Sequence, residues 1–221
     1  MIACVNGIRL FYEKTGQGRP LVMVHGNGED HTIFDEAVAE LRGSFTCYCV
    51  DSRCHGQSSE TGELHYTDMA ADMRAFLEAL ELRDAVFYGF SDGGIVALLA
   101  AAGNERVTTL ITSGANTSPR GVKLSLRLAI AWGYLRTRDK KLRLMLREPQ
   151  ISVRTLASIR ARTLVLAGEG DLIPEKETRH IAAAIPGARL KLLPGEDHGS
   201  YIVHSTKIAG LIKDFVQEET Q

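Results

Sequence analysis

Residues 85–97 read AVFYGFSDGGIVA. A short apolar run, the mark of a buried strand, ends at Gly89-Phe90. It meets Ser91 and Asp92, then two more glycines, and the chain resumes as an Ala/Leu-rich helix. Gly89-Phe90-Ser91-Asp92-Gly93 fits the pattern G-x-S-x-G. A serine held on a sharp turn from strand to helix has a strained backbone, and glycines two residues to either side keep the two elements from colliding around it. Such a turn lifts the hydroxyl clear of the sheet. It also sets the serine at a helix N-terminus, where unsatisfied N–H groups favour developing negative charge. The bare pattern arises often by chance; a strand before it and a helix after it make it specific.

The flanking sequence supplies that context. PLVMVHG, TCYCVD, AVFYGF, VTTLITSG, ARTLVLAG and ARLKLLPG are apolar runs bounded by turns, as expected of strands covered on both faces. Between them, TIFDEAVAELR places Ile33, Ala37, Val38 and Leu41 on one helical stripe, and YTDMAADMRAFLEALEL does so with Met69, Met73, Phe76, Leu77 and Leu80. GGIVALLAAAG, EKETRHIAAAIPG and VHSTKIAGLIKDFVQEE read as further helices. Strand–helix alternation predicts an α/β fold, a mostly parallel sheet with helices on both faces, forming one domain over 1–221. Asn6-Gly7 predicts an antiparallel hairpin at the start. Between Ser113 and Arg162 the interval exceeds a single crossover and reads as helices. A small helical lid over 117–158, inserted between two strands, is expected.

The 221 residues, 44% hydrophobic and 24% charged, suit a globular chain with a substantial core. A formal net charge of -1 argues against a nucleic-acid partner. MIACVNGIRL has no signal-peptide pattern and no run is long enough for a transmembrane segment, so a cytoplasmic protein is expected. Cys4, Cys47, Cys49 and Cys54 fit no zinc ribbon and read as free buried thiols.

In open parallel sheets, sites form beyond the carboxyl ends of the strands. His25-Gly26-Asn27, Asp51 to Ser58, Ser91, Asp171 and His198 all fall there. A serine hydroxyl needs a base to take its proton, and that base needs an acid to fix its tautomer. His198 in PGEDHGSY is the candidate base. His204 and His180 lie within helix patterns and His31 and His65 near helix starts, and all four read as surface or packing residues. Asp171 in GEGDLIP is the candidate acid; its rivals are Glu169 and Asp197, the latter adjacent to His198 and badly placed to bond its ring.

NGIRLFYEKTGQGRPLVMVHGNG, DSRCHGQS, GFSDGG, GEGDLIP and GEDH together resemble the α/β-hydrolase superfamily over essentially the whole chain. GFSDGGIVAL is especially similar to the branch that includes biphenyl-hydrolase-like esterases and meta-cleavage-product hydrolases. The resemblance implies Ser91 as nucleophile, His198 as general base and Asp171 as its orienting acid. It further implies an oxyanion hole from the backbone N–H groups of Asn27 and Asp92, a supporting role for His25, and no metal or organic cofactor. The implied activity is hydrolysis of a small ester or thioester through an acyl-enzyme on Ser91, with a small-molecule acyl substrate as the partner. C–C bond hydrolysis on the same triad is the alternative, and a ligand-binding receptor on this fold is a third reading.

Three features leave alternatives open. Cys54 stands where the family pattern has glycine, which questions the backbone of that loop and allows either a reactive or a packed thiol. Asp92 is either a partner for a cationic substrate group or a helix-start carboxylate. From Arg120 to Arg147, nine Lys/Arg face the single acid Asp139, a net of +8. That segment either attracts anionic substrates or carries solvated cations on helices whose Leu124, Leu128, Leu135, Leu142 and Leu146 cover the pocket.

Overall fold

The computed structural model describes residues 1–218; the last three residues of the expected domain lie outside the described residues. Eight strands form one sheet in the order β1-β2-β4-β3-β5-β6-β7-β8. They are β1 (Ile2–Val5), β2 (Ile8–Gly16), β3 (Arg19–Val24), β4 (Phe45–Val50), β5 (Ala85–Phe90), β6 (Val107–Ser113), β7 (Arg162–Gly168) and β8 (Arg189–Leu193). From β4 across to β8 every pairing is parallel. The β1–β2 hairpin, turned at Asn6-Gly7, joins antiparallel, with β2 against β4.

Helices cover both faces. On one, α1 (Asp35–Leu41) and α8 (Lys207–Gln217) bury Ala37, Leu41, Ile208, Ile212 and Phe215 against Leu21, Met23, Val86 and Tyr88. On the other, α2 (Tyr66–Ala79), α3 (Asp92–Ala101), α6 (Val153–Ala157) and α7 (Glu175–Ala184) pack Met73, Phe76, Val96, Leu156 and Ile181 over Val22, Val24 and Phe87. The remaining helices, α4 (Leu124–Thr137) and α5 (Lys140–Arg147), lie between β6 and β7 in the chain. Among the described residues, no helix is long and apolar enough to cross a membrane.

Strands β4 and β5 leave β3 in opposite directions, so the order reverses at β3, where a crevice opens at the carboxyl ends. Two polar clamps hold this end together. Asp51, at the end of β4, accepts from His31 N and Nδ1 through Oδ1, both at 2.8 Å, and from Gln57 N through Oδ2 at 2.8 Å. Arg53 forks onto Asp72 of α2 at 2.6 and 2.7 Å, and Asn6 of the hairpin turn donates to the same carboxylate at 3.0 Å. A buried guanidinium is tolerable because its charge is matched with bidentate geometry.

Three expectations are corrected. The segment TIFDEAVAELR begins as a 3-10 turn, His31–Phe34, capped by Asp30, before α1 proper. His204 is not in the last helix: it sits in a preceding turn at φ +48. Cys4 is exposed, whereas Cys47, Cys49 and Cys54 are buried; all four are free.

The crossing of β5, α3 and β3 tolerates no side chain. A methyl group at Gly89 would strike the Gly93 carbonyl, and one at Gly93 the carbonyls of Val24 and His25. Gly93→Ala is therefore expected to cost about 3 kcal/mol or to prevent folding, read as a lowered urea midpoint; an unchanged midpoint would refute the close approach.

Candidate active site

Ser91 stands between β5 and α3 with φ 52 and ψ -117, a region that non-glycine residues avoid. The turn is pinned from both sides: Ser91 N donates to Ser113 O at 2.7 Å, and Ser91 O accepts from Ile95 N at 3.1 Å. Asp171 follows β7 and His198 follows β8. The structure brings these three side chains together. His198 Nδ1 lies 2.6 Å from Asp171 Oδ1, and Nε2 lies 3.0 Å from Ser91 Oγ. A carboxylate can only accept, so Nδ1 carries the proton; Nε2 then accepts from the serine hydroxyl. Ile173 N donates to Asp171 Oδ1 at 2.8 Å and holds the carboxylate in place. The imidazole packs beside the Phe90 ring, with centroids 5.1 Å apart, and a side chain at Gly114 would collide with it.

Asn27 and Asp92 face each other across the crevice. Among the described residues neither backbone N–H has a hydrogen-bond acceptor, and their side chains are joined, Asn27 Nδ2 donating to Asp92 Oδ2 at 2.8 Å. Asp92 is buried, and that burial raises its carboxyl pKa, while the Asn27 amide and the Tyr66 hydroxyl act against the shift. Glu29, which the sequence reading passed over, also reaches the cavity. It accepts from Gly26 N at 2.9 Å, and burial raises its pKa.

The cavity holds about 270 Å³. Its apolar wall is Val122, Leu126, Ile130, Leu142, Met145, Leu172 and Ile173, closed at the base by Ser91, His198 and Phe90. Asn116, just beyond β6, completes it. The position of Asn116 at a strand end was readable from sequence, whereas that of Glu29 required the path of its loop. Three leucine assignments need correction: Leu124, Leu128 and Leu135 are exposed, whereas Leu126 and Ile130 of α4 turn inward. Among the described residues, no Lys or Arg lines the cavity, and Phe90 is its one aromatic residue besides His198. Trp132 points outward.

His25 supports the neighbouring loops. Its Nδ1 donates to Gly26 O at 2.7 Å and its Nε2 accepts from Ser52 N at 3.1 Å, which requires the neutral ring. Cys54, where the family pattern has glycine, itself adopts a left-handed backbone, φ +64, a region that usually calls for glycine. Its buried thiol lies 3.1 Å from Thr61 Oγ1 and accepts from Thr61 N at 3.3 Å, so it is a packed residue.

A family model described as alpha/beta hydrolase fold matches residues 19–145. The chain belongs to this family. It is 28% identical to serine hydrolase BPHL of Homo sapiens over 248 aligned positions, 96% of this chain and 84% of that protein. It is 37% identical to AB hydrolase superfamily protein YisY of Bacillus subtilis strain 168 over 100, a match that spans 44% of this chain and 37% of that relative. Among solved structures, the esterase EaEST of Exiguobacterium antarcticum superposes with a TM-score of 0.84 at 21% identity, over 96% of this chain and 97% of that one. The meta-cleavage product hydrolase CumD of Pseudomonas fluorescens IP01 gives 0.82 at 18%, over 99% and 98%. The α/β-hydrolase fold thus has both esterases and C–C bond hydrolases among its neighbours here.

Burial pushes the His25 pKa down from 6.5 to about 4, and His55 nearby reinforces the shift. Between these values the unfolded chain binds more protons than the folded one, so stability rises with pH there and is lost as pH falls towards 4. The urea midpoint should drop across that window, with a shallower slope in His25→Gln; a flat wild-type profile would refute the neutral ring.

Proposed function

We propose that this protein is a serine hydrolase that cleaves a small ester or thioester through an acyl-enzyme on Ser91. The observation carrying this reading is the continuous relay from Asp171 through His198 to the Ser91 hydroxyl, bonded at 2.6 and 3.0 Å, at the floor of an apolar cavity. Nε2 of His198 takes the hydroxyl proton as Oγ attacks the acyl carbon. The proton passes to the leaving group, and Asp171 stabilises the imidazolium formed in between. The free N–H groups of Asn27 and Asp92 receive the oxyanion, and the bond between their side chains holds the two donors in register. Water then repeats the cycle on the acyl-enzyme. The four free thiols fit a reducing, cytoplasmic setting.

The cavity supports a small acyl group and disfavours an anionic one. Among the described residues, its only ionisable side chains besides His198 are Glu29 and Asp92, and the cations of residues 120–147 lie outside it. Asp92 is already bonded to Asn27, which supports a structural role for its carboxylate over cation capture. The single aromatic wall residue, Phe90, gives a dienone substrate little to stack on, which favours acyl transfer over C–C cleavage.

Turnover of short p-nitrophenyl esters and a fluorophosphonate adduct on Ser91 are expected, with Ser91→Ala lowering kcat at least about 10³-fold. Rapid labelling without turnover of any acyl donor would instead favour a receptor. Within an acyl series of matched length, neutral esters should exceed those bearing a free carboxylate by about tenfold or more in kcat/KM; a preference for the carboxylate would overturn this account of the pocket.

A further inference from the structure

We propose that the outer face of α4 is a docking surface for an anionic lipid membrane. Leu124, Leu128, Trp132 and Leu135 are 58%, 62%, 61% and 64% exposed. Spaced four, four and three residues apart, they form one line about 16 Å long. Leu126 and Ile130, on the opposite side of the helix, line the cavity. Covering a pocket requires one apolar face; α4 carries two, and the side chains of its outer one stay more than half exposed among the described residues.

The edges of this line are cationic. Helical spacing puts Arg127 along one edge and Arg136 along the other, with Lys123 and Arg138 at the ends. Among the described residues none of these four has a carboxylate partner, whereas Lys140 and Arg143 of α5 are engaged by Glu60 and Glu63. The Arg136 guanidinium lies 4.5 Å over the Trp132 ring, which keeps the charge at the rim of the apolar strip. Tryptophan and leucine on one side with cations along the margins is the arrangement of a helix lying in the interface of an anionic bilayer.

Other occupants fit less well. A second copy docking by two-fold symmetry would press two unneutralised cationic rims together. A protein partner in a stable complex would use roughly 20–30 residues a side, far more than this strip offers. Docking would bring an acyl compound dissolved in the membrane close to the cavity on the other side of α4. That consequence rests on the proposed hydrolase activity, but the docking itself does not.

Trp132 is the only tryptophan in the sequence, so tryptophan emission, excited selectively over the tyrosines, reports this face alone. Vesicles of phosphatidylcholine mixed with phosphatidylglycerol should shift its emission to the blue and sediment the protein, and added salt should reverse both. Leu128→Ser with Leu135→Ser, and separately Arg127→Gln with Arg136→Gln, should each weaken binding about tenfold or more while circular dichroism stays that of wild type. The proposal is overturned by an unchanged emission, or by an equal shift with pure phosphatidylcholine. A shift that grows with protein concentration alone, marking self-association, would also overturn it. So would a shift given by polyglutamate but not by vesicles, marking an acidic protein partner. Ester turnover is measured apart, so loss of docking and loss of activity are separable.

Discussion

The positive φ at Ser91 is possible only because β5, α3 and β3 approach more closely than any side chain allows. Gly89 and Gly93 lie against carbonyl oxygens of the turn and of β3. The approach turns the chain sharply enough to present the hydroxyl to His198, and the Ser91 N–H bond to Ser113 and the Ile95 bond to Ser91 O hold the strained conformation. Strain of this kind persists only where the surroundings over-determine it. Here the surroundings are the central strands, the most buried part of the molecule.

Other parts of the fold serve the positions of residues far apart in sequence. Asp171 and His198 come from neighbouring strand ends, and the parallel register of β7 and β8 sets their separation. The loops after β3 and β4 are joined by His25 and Asp51, which hold Asn27 opposite Asp92. These are bonds of neutral or fully matched polar groups in a low-dielectric interior, where an unmatched one would be costly.

The strands and most helices were legible because alternation, turn residues and burial all agree in this chain. The three proposed catalytic side chains were legible as strand-end residues with the chemistry that a hydroxyl nucleophile requires. The facing of α4 was not. LSLRLAIAWGYL places large apolar residues on both sides of the helix, so periodicity assigns neither side to the interior, and Leu124, Leu128 and Leu135 were placed on the wrong one. Cys54 shows the converse. A residue that departs from the glycine expected there nonetheless takes a left-handed backbone, at φ +64, with its sulfur engaged by Thr61. His204 likewise takes a left-handed turn, at φ +48, that helical periodicity gave no reason to expect.

The cavity draws most of its apolar wall from one continuous stretch, Val122 to Met145, of which only Leu144 joins the buried cores of the sheet and its flanking helices among the described residues. Helix α4 rests chiefly on α5, with Gly133 letting Leu142 close in. Substitutions there can reshape what the pocket admits at little expense to the scaffold. The shape of the cavity is thus separable from the positions of Ser91, Asp171 and His198, which stay fixed by the strands that carry them.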